Sequence, residues 1–183
     1  MELSVVILNY NVQYFLEQCI LSVQRAIGNL DAEIIVVDNA SSDDSCAMVT
    51  RKFPQITLIQ NKENVGFSKA NNQAVAIAKG KYVCILNPDT AVAEDTFLKC
   101  LQKAEKLTNL GAMGIHLLDG TGHFLPESKR NLPTPFVSLK KVLGFTKKYY
   151  ANHISDKEEG EVQVLVGAFM LLERSIYKDV GGF

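Results

Sequence analysis

No segment of this sequence is apolar for long enough to cross a bilayer. The longest uninterrupted apolar run near the start, Val5-Val6-Ile7-Leu8, falls far short of the ~20 residues a spanning helix needs, and no basic region precedes it. The expectation is therefore a cytoplasmic chain without a signal peptide. Neither sign of charge dominates: nineteen basic residues face twenty acidic ones, for a net charge of −1. That balance excludes a polycationic nucleic-acid binder as a whole-chain property. Cysteine is scarce, and Cys19, Cys46, Cys84 and Cys100 form no CxxC pair. They lie mostly in apolar segments and read as buried thiols rather than disulfides or metal ligands. The three histidines, His116, His123 and His153, have no ligand-like spacing. Two common phosphate cradles are missing as well. There is no GxGxxG after the first apolar run and no GxxxxGK[ST] anywhere, which disfavours dinucleotide enzymes and P-loop phosphotransferases.

What the chain does have is an apolar content of 47% over 183 residues, enough for one domain with a real core. The first part alternates regularly. Residues 3–8 form a β-branched run, and Asn11 is placed to cap a helix with apolar positions Phe15, Leu16, Cys19, Ile20, Val23 and Ile27. Residues 33–37 make the next strand, and Ser41 and Ser42 are placed to cap a helix carrying Asp43 and Asp44 in its first turn. Strands are expected at 56–59, 82–86 and 112–118, and helices at 66–79, with Gly80 as its stop, and at 94–107. Continuous apolar strands separated by amphipathic helices predict an α/β fold, a mostly parallel sheet with helices on both faces. The rhythm breaks at Asp119-Gly120-Thr121-Gly122, which reads as a hairpin turn. Residues 161–172 are expected to resume as an apolar strand and residues 173–179 to form a short helix.

Ligands of such sheets bind beyond the carboxyl ends of the strands. Those ends carry Asn9 and Asn11, then Asp38, Asn39, Ser41 and Ser42, then Asn61, Asn64 and Gly66, then Asn87, Asp89 and Thr90. Carboxylates or carboxamides at four consecutive strand ends are the composition of a polar ligand site. A diphosphate bound there needs positive charge from elsewhere, and a divalent cation on Asp89 supplies it. Pro88 stiffens that loop.

Six segments in order carry a resemblance. They are Ser4-Val5-Val6-Ile7-Leu8-Asn9-Tyr10-Asn11, Val36-Val37-Asp38-Asn39-Ala40-Ser41-Ser42-Asp43, Asn64-Val65-Gly66-Phe67-Ser68-Lys69-Ala70-Asn71-Asn72, Leu86-Asn87-Pro88-Asp89-Thr90, Val166-Gly167-Ala168-Phe169-Met170 and Val180-Gly181-Gly182-Phe183. Together they resemble family 2 glycosyltransferases, nearest the rhamnosyltransferase-like branch. The resemblance implies a GT-A fold (the nucleotide-diphospho-sugar transferase fold) over residues 1–183. Residues 1–118 would be the donor-binding half and 119–183 the start of an acceptor-side half. It implies inverting transfer of a sugar from a UDP- or dTDP-sugar to a hydroxyl of a cell-surface polysaccharide or lipid-linked glycan, assisted by Mg²⁺ or Mn²⁺. By the same resemblance Asn9 and Asn11 line the nucleotide pocket, and Asp38, beside Asn39, accepts from N3–H of uracil or thymine. An ionised carboxylate only accepts, so this pairing rejects cytosine. Gly66, Asn71 and Asn72 would shape the donor pocket, and Asn87-Pro88-Asp89 would stand at the DxD position with Asp89 as metal ligand.

Two departures from the family pattern stand out. Asn87 replaces the first aspartate, which weakens the metal site because a carboxamide oxygen is a neutral ligand. The acidic pair that typically follows Gly-Gly-Phe, including the general base, is expected beyond Phe183. The chain thus reads as the N-terminal, donor-binding portion of a longer enzyme. A sugar-1-phosphate nucleotidyltransferase is a second reading, although Leu8-Asn9-Tyr10-Asn11 lacks its Gly-rich basic signature. A non-catalytic nucleotide-sugar binding module is a third. Residues 127–153 hold six basic residues and one acid, a net +5 against −6 for the rest of the chain. Interleaved with aromatics, they suit an anionic membrane surface or a lipid-diphosphate acceptor.

Overall fold

The computed structural model describes residues 1–132, 134, 150, 151, 154, 155 and 158–183. β-Branched and aliphatic runs form the strands: β1 (Leu3–Asn9), β2 (Ala32–Asp38), β3 (Thr57–Gln60), β4 (Tyr82–Leu86) and β5 (Phe169–Glu173). Between them lie α1 (Gln13–Ile27), α2 (Ser45–Lys52), α3 (Phe67–Ile77) and α4 (Thr96–Ala104), and α5 (Arg174–Asp179) follows β5. The sheet order is β3-β2-β1-β4-β5. The first four strands are parallel, and β5 runs antiparallel beside β4, pairing Leu86 with Phe169 and Tyr82 with Glu173. The expected mixed α/β architecture with a mostly parallel sheet is therefore present.

Both sheet faces are covered. On one, Val6, Ile35, Val37, Val83, Ile85 and Leu172 pack with Ala70, Ala74 and Val75 of α3 and with Tyr177 of α5. Small alanines let α3 approach the strands closely, and Val6 faces Ile35 and Ile85 in register. On the other, the Phe169 ring stacks on Phe97 of α4 at 6.3 Å between centroids, and both rings are fully buried.

Three local expectations change. Residues 112–118 form no strand: Met113 makes an isolated bridge to Leu171, and the fifth place in the sheet goes to β5. Asn11 does not cap α1, and neither serine caps α2. The residues at those caps are Val12 and Asp44, without side-chain cap bonds. Gly80 does not end α3, which stops at Ile77. Its role is space, because a Cβ there would lie 2.5 Å from the Ser4 nitrogen and 2.6 Å from the Leu3 carbonyl carbon.

The chain divides into two compact units, Met1–Met113 with Gly167–Phe183, and Gly114–Val166. In the second, the turn at 119–122 forms as expected. Leu118 bridges Phe124, the Asp119 N–H donates to the His123 carbonyl at 2.8 Å, and Asp119 Oδ1 accepts from the Thr121 and His123 amides. His116 is exposed and stacks on Phe124 at 4.7 Å rather than standing in a strand. Most of the basic segment lies outside the described residues, including Lys140, Lys141, Lys147, Lys148 and His153. Among the described residues no helix is long and apolar enough to cross a membrane.

Candidate functional site

The carboxyl ends of β1 and β2 meet at one rung, where Asn9 is the register partner of Asp38. Asn9 is fully buried and Asp38 is 2% exposed. Burying a carboxylate is costly unless donors surround it, and the loop that follows supplies them. Asn9 Nδ2 donates to Asp38 Oδ1 at 2.7 Å and to Ser41 Oγ at 3.1 Å. The Ser41 hydroxyl donates to Oδ1 at 2.6 Å and its amide to Oδ2 at 2.8 Å. Asn9 Oδ1 is buried without a partner among the described residues. Ser41, read from sequence as a helix cap, belongs instead to this cluster.

Two crevice loops hold non-glycine residues in left-handed conformation, Asn11 (φ 55°) and Ala40 (φ 62°). Such backbone is uncommon outside glycine and gathers at functional sites. The two loops are tied together: Asn11 Oδ1 accepts from the Ser42 amide at 2.7 Å, and the Asn11 amide donates to Ser41 Oγ at 2.9 Å. The Cys46 thiol lies near Asp38. Burial, then the neighbouring Asp38 and Asp43 carboxylates, push it up to about 12, so it stays protonated.

A run of carboxamides braces the next loop. Asn61 donates to Asn39 Oδ1 at 2.9 Å, and Asn39 Nδ2 donates to Asn64 Oδ1 at 3.2 Å and to the Gly66 carbonyl at 3.4 Å. Asn61 and Gln73 exchange reciprocal bonds of 2.9 and 3.0 Å. Asn39, 2% exposed, thus spends its side chain on fixing the approach to Gly66, which has φ 83° at the start of α3. Gln73, not singled out from sequence, is a member of this brace.

After β4, Asn87 to Thr90 form a turn closed by the Thr90 amide donating to the Asn87 carbonyl at 3.2 Å, with Pro88 at the position that favours proline. The buried Cys19 thiol also donates to that carbonyl, at 3.5 Å. Burial and then the Asp89 charge push Cys19 up to about 12. The Asn87 amide donates to the Ala168 carbonyl at 3.1 Å. Asp89 stands exposed on this turn, with no hydrogen bond or ion pair among the described residues. Among those residues no three His, Cys, Asp or Glu side chains gather into a metal cage.

Asn71 and Asn72 both lie on α3. Asn71 is fully buried and donates to the Phe67 carbonyl at 2.9 Å. Asn72 is engaged with Tyr177 and the main chain of Phe183.

The mostly parallel α/β sheet gathers acids and amides along its carboxyl edge, where sheets of this kind bind their ligands. The chain belongs to glycosyl transferase family 2, which it matches over residues 4–181. It is 25% identical, over 99% of its length and 64% of the relative's, to the N-acetylglucosaminyl-diphospho-decaprenol L-rhamnosyltransferase of Mycobacterium tuberculosis. It is 31% identical, over 76% of its length and 23% of the relative's, to the poly(ribitol-phosphate) beta-glucosyltransferase of Bacillus spizizenii. The chain thus spans less than two thirds of these relatives. Among solved structures, the Pyrobaculum calidifontis mannosyltransferase in complex with GDP-Man and Mn²⁺ superposes with a TM-score of 0.67 at 21% identity, covering 100% of this chain and 47% of that one. S. aureus TarS 1-349 in complex with UDP-GlcNAc gives 0.67 at 17% identity, covering 98% and 47%. The fold is that of GT-A glycosyltransferases.

Proposed function

We propose that this domain binds a UDP- or dTDP-sugar and serves inverting transfer of the sugar to a hydroxyl of a cell-surface polysaccharide or lipid-linked glycan. The observation that carries the reading is the Asn9–Asp38–Ser41 cluster. An ionised carboxylate offers about four lone-pair positions. Asn9 and Ser41 take three of Asp38's, and the neighbouring Cys46 S–H is a weak donor that a stronger one would displace. A ring N–H would be such a donor. Uracil and thymine present one at N3, while cytosine presents an acceptor there. Asn9 Oδ1, buried and unpartnered, adds a second acceptor beside it.

Asn11 and the Ser42 loop would flank the nucleoside, with Asn39 and Asn71 holding Gly66 and α3 behind it. Asp89 fits a divalent cation of the kind that binds through one carboxylate and takes its remaining ligands from phosphates and water. Mg²⁺ or Mn²⁺ on Asp89, with Asn87 alongside, would supply positive charge to the leaving diphosphate. The rhamnosyltransferase and poly(ribitol-phosphate) glucosyltransferase relatives support a cell-wall or lipid-linked acceptor, and the neighbouring structures with GDP-Man and UDP-GlcNAc a nucleotide-sugar donor. The basic segment supports contact with an anionic membrane, tested by salt-sensitive binding to anionic vesicles and none to neutral ones.

The test of the donor site is calorimetric titration with UDP, dTDP, GDP and CDP, with and without Mn²⁺, on the wild type and Asp38→Ala. The expected result is Mn²⁺-enhanced binding of UDP or dTDP, discrimination against CDP, and loss of that discrimination in Asp38→Ala. Equal binding of CDP and UDP by the wild type overturns the reading.

A further inference from the structure

Asn72 is bound in a way that the donor-site reading does not use. Its Nδ2 donates to the Phe183 carbonyl at 3.2 Å, and its Oδ1 accepts from the Phe183 amide at 3.2 Å. The Tyr177 hydroxyl donates to the same Oδ1. A carboxamide has two acceptor and two donor positions, so a single N–H is left for any other partner. The partners lie 105 and 111 residues away in the chain.

The rest of the contact is built for this arrangement. Gly181 and Gly182 are both left-handed, at φ 86° and 79°, and a Cβ on Gly182 would come within 2.5 Å of Asn72 Oδ1. Glycine at 182 is thus required both by backbone and by the neighbour. The Gly182 amide donates to the Tyr177 carbonyl at 2.9 Å and that of Gly181 to Lys178 at 3.0 Å, closing the turn on α5. Tyr177, 4% exposed, is packed in the core cluster with Ala70, Ala74 and Val75 of α3. The Phe183 ring then lies edge-on to Tyr177 at 5.3 Å and 5.5 Å from Phe67. Phe67 opens α3 directly after Gly66, at the carboxyl end of the sheet.

We propose that Asn72 is a positioning residue rather than a donor contact: braced by Tyr177, it latches the turn at 181–183 onto α3 and holds Phe183 beside Phe67 at the crevice end. This deepens the proposed function and rests on it for the meaning of the crevice. One helix then serves two sides, with Gly66 at its start toward the donor and the latch on its flank. Donor affinity and the placement of Phe183 are separable in consequence.

The experiment compares wild type, Asn72→Ala, Asn72→Asp and Tyr177→Phe by amide hydrogen exchange and by titration with UDP and dTDP. In Asn72→Ala the Phe183 amide is expected to exchange about five to ten times faster, with strand amides unchanged. In Asn72→Asp a carboxylate still accepts from that amide, so its protection returns. Nucleotide Kd stays within about twofold throughout. A loss of about tenfold or more in nucleotide affinity in Asn72→Ala or Asn72→Asp, or unchanged Phe183 exchange in Asn72→Ala, overturns the proposal. Should Asn72→Ala not fold, Asn72→Asp and Tyr177→Phe decide: protection kept in the first, reduced in the second, and affinity kept in both. A wild type that binds no nucleotide defeats the proposed function, while the exchange comparison still judges the latch.

Discussion

Asn9 and Asp38 sit on the same rung of the β1–β2 ladder, and the carboxamide of one donates to the carboxylate of the other at 2.7 Å. Parallel register brings the two strand ends level, so a residue 29 positions away becomes a donor to a buried charge. Replacing Asn9 with Ala removes that donor while Asp38 stays buried. Hydrogen bonds to charged groups contribute about 1.5–3 kcal/mol, and a loss of that size is expected in the unfolding free energy of Asn9→Ala from urea denaturation. UDP affinity should fall with it, and unchanged stability would show that Asp38 is satisfied without Asn9.

Asp89→Asn separates metal from nucleotide. The exposed carboxylate has no partner among the described residues, so its loss should leave folding intact. The gain in UDP affinity on adding Mn²⁺ is expected to disappear, while metal-free affinity stays within about twofold. Retention of the Mn²⁺ effect in calorimetry would place the cation elsewhere.

Cys46 reports on Asp38. Burial and then the Asp38 carboxylate hold the thiol up near 12, against an ordinary value of 9.0. At pH 8 only about one thiol in ten thousand is then ionised, and the thiolate is the reactive form. Iodoacetamide should label Cys46 slowly at pH 8 and progressively faster as pH rises toward 12. Asp38→Asn removes the repelling charge and should speed labelling at fixed pH, read by peptide mass spectrometry.

Gly80→Ala tests close approach at the opposite end of the sheet. The added Cβ meets backbone at 2.5–2.7 Å from Ser4, Leu3 and Tyr82, and none of these can rotate away. Moving β1 would also disturb the Gly80 amide's 2.8 Å bond to Ser4 Oγ. Overpacking of this kind costs about 1–3 kcal/mol, and chemical denaturation should show a loss in the upper part of that range with nucleotide selectivity unaltered.

β1, β2 and β4 were legible because each carries an apolar run that meets a polar residue at its carboxyl end, the mark of a strand buried on both faces, whereas β3 is a short, half-exposed edge strand read from the apolar residues 56–59. The fifth was not. Residues 112–118 continue the alternation, yet the edge of β4 is taken by residues 169–173, which run the other way. Nothing in local pattern announces a partner from so far downstream. Within the site, Asp38 stood out as an acid at a strand end. Ser41, Asn39 and Asn72 were harder, since a serine or carboxamide serves a ligand, a cap or a neighbouring loop with the same atoms. Only the fold assigns their partners.

The antiparallel β5 has a consequence for the order in which this protein is made. Residues 114–166 form their own unit between β4 and β5, so a nascent chain emerging from its N-terminus exposes the β4 edge until residue 173 has followed. Unpaired strand edges invite pairing with other chains. During synthesis the β4 edge stays open longest, and it closes when Phe169–Glu173 pair along it.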